Sequence, residues 1–394
     1  LACLCAQSRP MPQTTHFSAW LMMLALAAWL AGCASVPHPD ESELAPPLPP
    51  MAYDPADSAP LPPPMIRARS RWTPVRWAEL PGFEQDDTNQ AWYAWLQSCE
   101  RPGPVFAPLC DEVRRLTLAT PQEQQQWMRA RLRPYRVEAL ASASSEGLLT
   151  SYFEPVVRAS RVQRPGFAVP LHRPPPGVSA RGPWYSRQQM EQLPQARAAL
   201  AGQELMWLAD PVDALMLQIQ GSGRAVVSEP DGSQRLVRLA YAATNGHPYK
   251  SVGRWLLDQG AVSDATWPGI KAWAARNPHR QQEMLWSNPR VTFFREEAMS
   301  ELDANFGPRG AQGVPLTPGR SIAVDPQSIP YGTPVWISSS GPQAQLNRLV
   351  LAQDTGSAIT GAVRADYFAG WGEEAGALAG RLKQPLRMWA LWPR

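Results

Sequence analysis

The stretch AQDTGSAITGAVRADYF, residues 352–368, decides how this sequence is interpreted. It carries two aspartates, Asp354 and Asp366, and small residues such as Gly356 and Gly361 lie between them, where something can approach closely. Asp354 follows the apolar run RLVLAQ, and Asp366 precedes the aromatic YFAGWG. A carboxyl group in such surroundings tends to have a raised pKa and can act as a general acid. The alternative is that both aspartates cap turns through their own backbone, and the residues alone leave the two interpretations open.

The length and composition of the chain limit its possible architecture and partners. Its 394 residues suffice for two domains with their own cores. A net charge of +3 and a charged fraction of 18% are too mild to indicate a nucleic-acid partner. Tryptophan is frequent, at 17 residues, which fits core or interface packing and also suits the apolar faces of sugar rings.

The N-terminal region is typical of an exported lipoprotein. Met11 is followed by the apolar run FSAWLMMLALAAWLAGCAS, which is too short for a convincing membrane span and is typical of a signal peptide. It ends in Leu-Ala-Gly-Cys33, which looks like a bacterial lipobox with Cys33 as the lipid-bearing residue; an ordinary signal peptide with a chance cysteine is the alternative. Because residue 34 is Ala and not Asp, the usual sorting rule predicts the outer membrane, facing the periplasm. Residues 1–32 are thus expected to be an upstream extension plus a lipoprotein signal peptide.

A proline-rich segment follows at 33–65. Eleven of the residues from 37 to 64 are Pro, and such a segment favours extended polyproline II conformation. We expect it to be a semi-rigid tether between the membrane and the folded body.

Two cysteines, Cys99 and Cys110, remain downstream of the lipobox. An exported protein meets an oxidising compartment, so a disulfide between them is the favoured interpretation, with buried free thiols as the alternative. Their spacing is not that of a metal site and no histidine accompanies them. No metal and no cofactor is expected.

The sequence patterns divide the folded part into helical and strand-like regions. Residues 66–150 look largely helical, with a strong helix start at Thr120-Pro121-Gln122-Glu123, whereas segments from about 136 onward, and most of the last hundred residues, have strand-like patterns. LQIQGSGR, residues 217–224, is predicted to be a strand that runs into a glycine-flanked serine, either to let backbone amides face a ligand or as a plain tight turn. It does not meet the nucleotide-binding glycine patterns.

Several segments together resemble the membrane-bound lytic murein transglycosylase A (MltA) family of Gram-negative bacteria. They are LLTSYFEPVV, LQIQGSGR, YAATNGHPYKSVGRWLLDQG, NPRVTFF, PLTPGRSIAVDPQSIPYGTPVWI and DTGSAITGAVRADYFAGWG. The last two form what is called the 3D domain after its three aspartates, here Asp325, Asp354 and Asp366. The resemblance covers about residue 70 to the end with the motif order intact.

The resemblance implies a mainly β fold with N-terminal helices. A double-psi β-barrel would be formed by residues 66–160 and 291–394, and a second β-rich domain, residues 161–290, would be inserted into it. The glycan would lie in the groove between the two. The partners implied are peptidoglycan glycan strands and, through the lipid on Cys33, the outer membrane.

The resemblance also implies the chemistry. Lytic transglycosylases cleave the β-1,4 bond between N-acetylmuramic acid and N-acetylglucosamine and leave a 1,6-anhydro end, with one carboxyl group serving as acid and then as base. That role falls to Asp366; Asp354 would orient the substrate or stabilise positive charge, and Asp325 is expected to be mainly structural. The residues expected to contact the glycan are Tyr152 and Glu154 from the barrel, and Gln218, Gln220, Ser222 and Gly223 from the inserted domain.

Two other functions remain as alternatives. A glycan-binding lipoprotein could keep the barrel without the chemistry, although the presence of both aspartates speaks against it. A glycan hydrolase on the same fold is the second, and the ends of the products would distinguish all three.

Overall fold

A computed structural model describes residues 57–178 and 182–394 of the chain. The signal segment, Cys33 and the tether up to residue 56 lie outside the described residues. In the part that is described, no helix is both long and apolar enough to cross a bilayer.

Fifteen strands are assigned within the described ranges, numbered in chain order. They are β1 (Met65–Ile66), β2 (Ser70–Pro74), β3 (Leu132–Ala139), β4 (Gly147–Glu154), β5 (Val156–Ser160), β6 (Val169–His172), β7 (Glu204–Leu208), β8 (Gly223–Ser228), β9 (Gln234–Thr244), β10 (Thr292–Ala298), β11 (Ser321–Val324), β12 (Pro334–Ser340), β13 (Gln345–Asp354), β14 (Arg364–Trp371) and β15 (Lys383–Pro393).

The α-helices are 6 to 11 residues long and lie in three groups along the chain. They are α1 (Thr88–Ser98), α2 (Cys110–Arg115), α3 (Pro121–Arg131), α4 (Arg187–Gln192), α5 (Pro194–Leu200), α6 (Pro211–Gln220), α7 (Val252–Asp258), α8 (Trp267–Arg276), α9 (Gln281–Trp286) and α10 (Gly372–Ala379). Short 3₁₀ turns lie at Trp77–Glu79, Phe83–Gln85, Ala107–Leu109, Leu116–Leu118, Pro278–Arg280 and Asp303–Asn305.

The larger sheet closes on itself. Its nine strands run in the order β1-β2-β3-β15-β12-β13-β11-β14-β4, and β15 pairs with β4 as well. That extra pairing, Lys383 to Leu386 against Gly147 to Thr150, completes a ring of six strands. The ring encloses an apolar core to which Leu149, Ile322, Val350 and Ala365 contribute. The expected mainly β fold with a barrel is confirmed.

The second sheet is inserted between β4 and β11 in the sequence. Its order is β10-β9-β8-β5-β7-β6, and α4 to α9 accompany it in the chain. The sequence assigned 156–160 and 291–298 to the barrel, and the structure corrects this. The strand β5 pairs with β8 and β7, and β10 pairs with β9, so both belong to the second sheet. Pro155, which interrupts the apolar run between β4 and β5, marks the change of sheet.

The first three helices cover one outer face of the barrel. Buried tryptophans of this helical layer, Trp92, Trp95 and Trp127, pack in one cluster with Trp336 of β12 and Trp389 of β15. Much of the tryptophan that suggested sugar stacking therefore serves the core. The expectation that 66–150 is largely helical is corrected, because β2, β3 and the first half of β4 also lie there.

Helix ends follow their local sequence signals. The predicted start at Thr120 is confirmed: its side chain accepts a hydrogen bond from the Glu123 amide, and the Glu123 carboxylate caps it in return. The predicted strand at 217–220 is wrong, since these residues end helix α6. Asp210 caps the first turn of this helix, and Gly221, with φ +82°, ends it in the left-handed region.

Candidate active site

Asp354 and Asp366 are brought together by β11, which lies between their strands. In the ladder, Ala323 of β11 is in register with Asp354 of β13 on one side and with Asp366 of β14 on the other. The pairing of β11 with β13 shifts register just before Ala323, so register alone does not fix the face. Thr150 and Tyr152 are two residues apart on β4 and share a face, and they bond to Asp366 and Asp354 respectively. The two carboxyl groups therefore face the same side of the barrel wall, two strand spacings apart, about 10 Å between the Cα atoms in a flat sheet.

Both oxygens of Asp354 accept hydrogen bonds from the protein. The Tyr152 hydroxyl donates to Oδ2 at 2.8 Å, and the Ala311 amide donates to Oδ1 at 2.9 Å. Burial raises the pKa of Asp354 and the negative charge of Asp366 adds to that, while these hydrogen bonds act in the opposite direction. With a donor on each oxygen, the side chain is oriented as an acceptor, which suits its ionised form.

The hydrogen bonds to Asp366 differ from those to Asp354. Thr150 of β4 is its ladder neighbour, and the Thr150 hydroxyl donates to Oδ1 of Asp366. Arg364 donates in turn to the Thr150 hydroxyl at 2.8 Å. Burial raises the pKa of Asp366, and the bond from Thr150 and the charge of Arg364 only partly oppose it. Within the described residues, the hydrogen bonds reach Oδ1 alone, so Oδ2 is left to carry a proton towards a ligand.

Tyr152 completes this group. It lies two residues after Thr150 on β4, and its ring packs against Phe368 with centroids 5.3 Å apart. Burial, then the negative charges of Asp354 and Asp366, raise the pKa of the Tyr152 phenol. The phenol therefore stays protonated and remains a hydrogen-bond donor across the pH range of an enzyme assay.

Glu154 does not line a groove, contrary to the sequence-based expectation. Its side chain is 0% exposed, and its two oxygens accept from Nε of Arg224 at 2.7 Å and Nε of Arg238 at 2.9 Å. At this end of β4 the pairing with β14 shifts register, and strands β8 and β9 of the second sheet cover the position. Glu154 therefore joins the two sheets and is not available to a glycan.

The segment around Gly223 also differs from expectation. Gly223 is buried in β8, and a Cβ there would come within 2.0 Å of Leu217 Cδ2, so the lack of a side chain permits the close packing of α6 against this strand. Gln220 does lie beside the barrel, because its Oε1 accepts from the Phe153 amide at 3.2 Å. Gln218 and Ser222 are partly exposed, and their contact with a glycan stays a prediction.

Asp325 is buried and supports the loop between the other two aspartates. Its Oδ2 accepts from the Gly361 amide at 2.9 Å, and its Oδ1 accepts from the Gln327 amide at 3.0 Å. These contacts give it the structural role that the Asp-Pro step indicates.

Sequence reasoning missed three contributors: Thr150, Arg364 and the Ala311 amide. Thr150 and Arg364 lie inside the quoted motifs, but only the β4–β14 pairing places them beside each other. Nothing in the sequence around Ala311 indicates its role.

The described residues contain no cluster of three or more acidic, His or Cys side chains arranged to hold a metal ion.

Cys99 and Cys110 are joined by a disulfide. It closes the loop between α1 and α2 on the helical layer, where both residues are buried.

Comparison with known proteins supports a single family. Residues 148–295 match the model of the MltA specific insert domain, and residues 320–392 match that of the 3D domain. The membrane-bound lytic murein transglycosylase A of Escherichia coli K12 is 31% identical over an alignment of 288 residues that covers 68% of this chain and 74% of that protein.

Solved structures agree with this. The lytic transglycosylase LtgG of Burkholderia pseudomallei is 41% identical with a TM-score of 0.60, and the match covers 88% of this chain and all of that one. The monoclinic form of MltA from Neisseria gonorrhoeae is 29% identical with a TM-score of 0.72, covering 88% of this chain and 98% of that one.

Proposed function

This chain belongs to the membrane-bound lytic murein transglycosylase A family, and from that membership and the geometry of its aspartates we propose that Asp366 is the catalytic acid and base. The protein is a lytic transglycosylase that acts on peptidoglycan. The bond it cleaves is the β-1,4 link from N-acetylmuramic acid to N-acetylglucosamine. The observation that carries the assignment is the half-buried Asp366 carboxyl: burial raises its pKa, and among the described residues a donor reaches only its Oδ1, which leaves Oδ2 for a proton.

In the first step, protonated Asp366 donates its proton to the glycosidic oxygen as the C1–O bond breaks. Positive charge develops at C1 of the muramic acid. Asp354, oriented by Tyr152 and the Ala311 amide, is the ionised carboxylate that stabilises this charge.

In the second step, the Asp366 carboxylate takes the proton from the C6 hydroxyl of the same sugar. The C6 oxygen bonds to C1 and closes the 1,6-anhydro ring, and Asp366 is returned to its protonated form. No water is consumed, because the nucleophile belongs to the substrate and is already in place. A glycosidase would instead need a second carboxylate to activate water or to attack C1.

Mass spectrometry of the muropeptides released from purified sacculi tests this function. The expected products carry 1,6-anhydro ends. Reducing ends would identify a hydrolase, and binding without release would identify a glycan-binding protein; either result contradicts the proposal.

We also propose that Cys33 carries a lipid that holds the protein at the outer membrane. Relatives of the chain are named membrane-bound, and the Leu-Ala-Gly-Cys33 sequence with Ala34 supports this route and destination. Cys33→Ser should yield a soluble periplasmic protein or an uncleaved precursor. A mature N-terminus elsewhere, without lipid, contradicts the proposal.

A further inference from the structure

The residue before Asp354 is fixed to the helical layer. Gln353 is 0% exposed, and its Nε2 donates to the Ala94 carbonyl at 2.6 Å and to the Ser98 hydroxyl at 2.8 Å. Both acceptors lie in the C-terminal half of α1. The end of β13, where Asp354 is placed, is therefore tied to that helix.

A second connection runs through Gln312. Its Nε2 donates to the carbonyls of Ser98, at 3.4 Å, and of Arg101, at 3.3 Å, and its Oε1 accepts from the Ser98 hydroxyl at 3.1 Å. Its backbone amide donates to the Gln353 carbonyl at 3.0 Å. The residue before it is Ala311, whose amide holds Oδ1 of Asp354.

The disulfide closes a loop that contains or adjoins the residues to which the Gln312 side chain bonds. Ser98 immediately precedes Cys99, and Arg101 lies inside the loop that the bond to Cys110 closes. The Cys99 carbonyl also accepts from Nη2 of Arg114 at 3.2 Å, which adds a second closure of the same loop.

We propose that Gln312 is a positioning residue for Asp354, and that the Cys99–Cys110 disulfide fixes the loop to which Gln312 is anchored. This role rests on the proposed function, in which Asp354 stabilises developing charge. The Ala311 amide donates to Asp354, and Gln353 precedes Asp354 on β13. Gln312 follows Ala311 in the chain and donates to the Gln353 carbonyl, so it is connected to both. A carboxylate that acts by orientation loses effect when its supports move by a fraction of an ångström.

A double-mutant cycle between Gln312→Ala and Asp354→Asn tests the positioning role. Turnover of soluble glycan strands is measured through release of anhydro products. In the otherwise wild-type protein, Gln312→Ala should lower kcat by about 10-fold with little change in KM. In the Asp354→Asn background it should lower kcat by less than about 2-fold, because residues that act as a unit are not additive.

Two further variants serve as controls for this experiment. Gln312→Met keeps the side-chain length without the hydrogen bonds and should reproduce the Gln312→Ala loss. Gln345→Ala changes an exposed glutamine at the start of β13, at the opposite end of that strand from Asp354, and should leave kcat unchanged.

The positioning role is overturned if Gln312→Ala lowers kcat equally in both backgrounds, or if it is as active as the Gln345→Ala control. The proposed function stands in either case. A wild-type protein that releases no anhydro product overturns the proposed function and this role with it.

The disulfide is tested by the Cys99→Ser/Cys110→Ser double variant, after intact mass has shown the bond in wild-type periplasmic protein. It should lower kcat in the wild-type background and cause no further loss when combined with Gln312→Ala. The role assigned to the disulfide is overturned if the double variant unfolds at lower temperature but keeps full kcat. It is also overturned if the wild-type protein has two free thiols.

Discussion

The Tyr152 hydroxyl donates a 2.8 Å hydrogen bond to Oδ2 of Asp354, although their strands are not neighbours in the barrel. Between β4 and β13 lie β14, with Asp366, and β11, with Ala323. The bond therefore spans the face of the wall on which the two carboxyl groups lie. It links the residue that we assign to charge stabilisation to the strand that holds Asp366 through Thr150.

Tyr152→Phe should shift the pH dependence of turnover. The Tyr152 hydrogen bond lowers the pKa of Asp354, so its removal lets burial and the charge of Asp366 raise that pKa further. Asp354 must be ionised to stabilise positive charge, so the acidic limb of the kcat profile should move to higher pH. We expect kcat at the optimum to fall by roughly 3- to 10-fold, the effect of one lost hydrogen bond.

Profiles of kcat against pH for wild type, Tyr152→Phe and the exposed control Tyr93→Phe check this. The charge of Asp366 acts on Asp354, and the charge of Arg364 acts on Asp366; both residues are retained in the variant. An acidic limb that stays in place in Tyr152→Phe contradicts the assigned role of Asp354.

Asp354→Asn should be impaired but not inactive. An amide keeps an oxygen for the Ala311 amide or the Tyr152 hydroxyl, but it carries no charge. We expect a loss of kcat of about 10-fold, smaller than the loss from removing the proton donor. Activity equal to wild type would show that Asp354 has no part in the reaction.

Glu154→Gln should destabilise the fold without acting on the chemistry directly. The change leaves Arg224 and Arg238 buried without their counter-charge, and breaking such a pair costs about 3–5 kcal/mol of unfolding free energy. Urea unfolding of this variant beside Glu146→Gln, an exposed residue just before the same strand, gives the measurement. Equal stability of the two variants would contradict the linking role of Glu154.

The sequence was most informative where local pattern and motif agree. The acidic motifs predicted that Asp354 and Asp366 belong to one site, and the capping residues around Thr120 predicted the start of α3. Helix α6 was missed although Asp210, Pro211 and Gly221 carry ordinary signals for its two ends, because the apolar run between them suits a strand as well as a buried helix.

Other features depend on contacts that no local pattern contains. Glu154 has the same strand parity as Thr150 and Tyr152, so alternation alone places it on the face of the site. Only the packing of Arg224 and Arg238 from the second sheet removes it from solvent. In the same way, Thr150 reaches Asp366 through a pairing of strands more than two hundred residues apart in sequence.

The most direct test of the account is the kinetics of Asp366→Asn on purified sacculi. Asn keeps the size and polarity of the side chain but cannot donate and recover a proton, so release of anhydro-muropeptides should fall by at least ~10²-fold while glycan binding remains. The variant should fold at neutral pH with undiminished stability: the folded-state pKa of Asp366 is raised, so the ionised carboxylate destabilises the fold as pH rises through that range, and Asn removes this cost. The wild-type optimum should lie below neutral pH, because the first step needs Asp366 protonated. If Asp366→Asn instead releases anhydro-muropeptides at nearly the wild-type rate while Asp354→Asn abolishes release, the roles of the two aspartates are the reverse of those assigned.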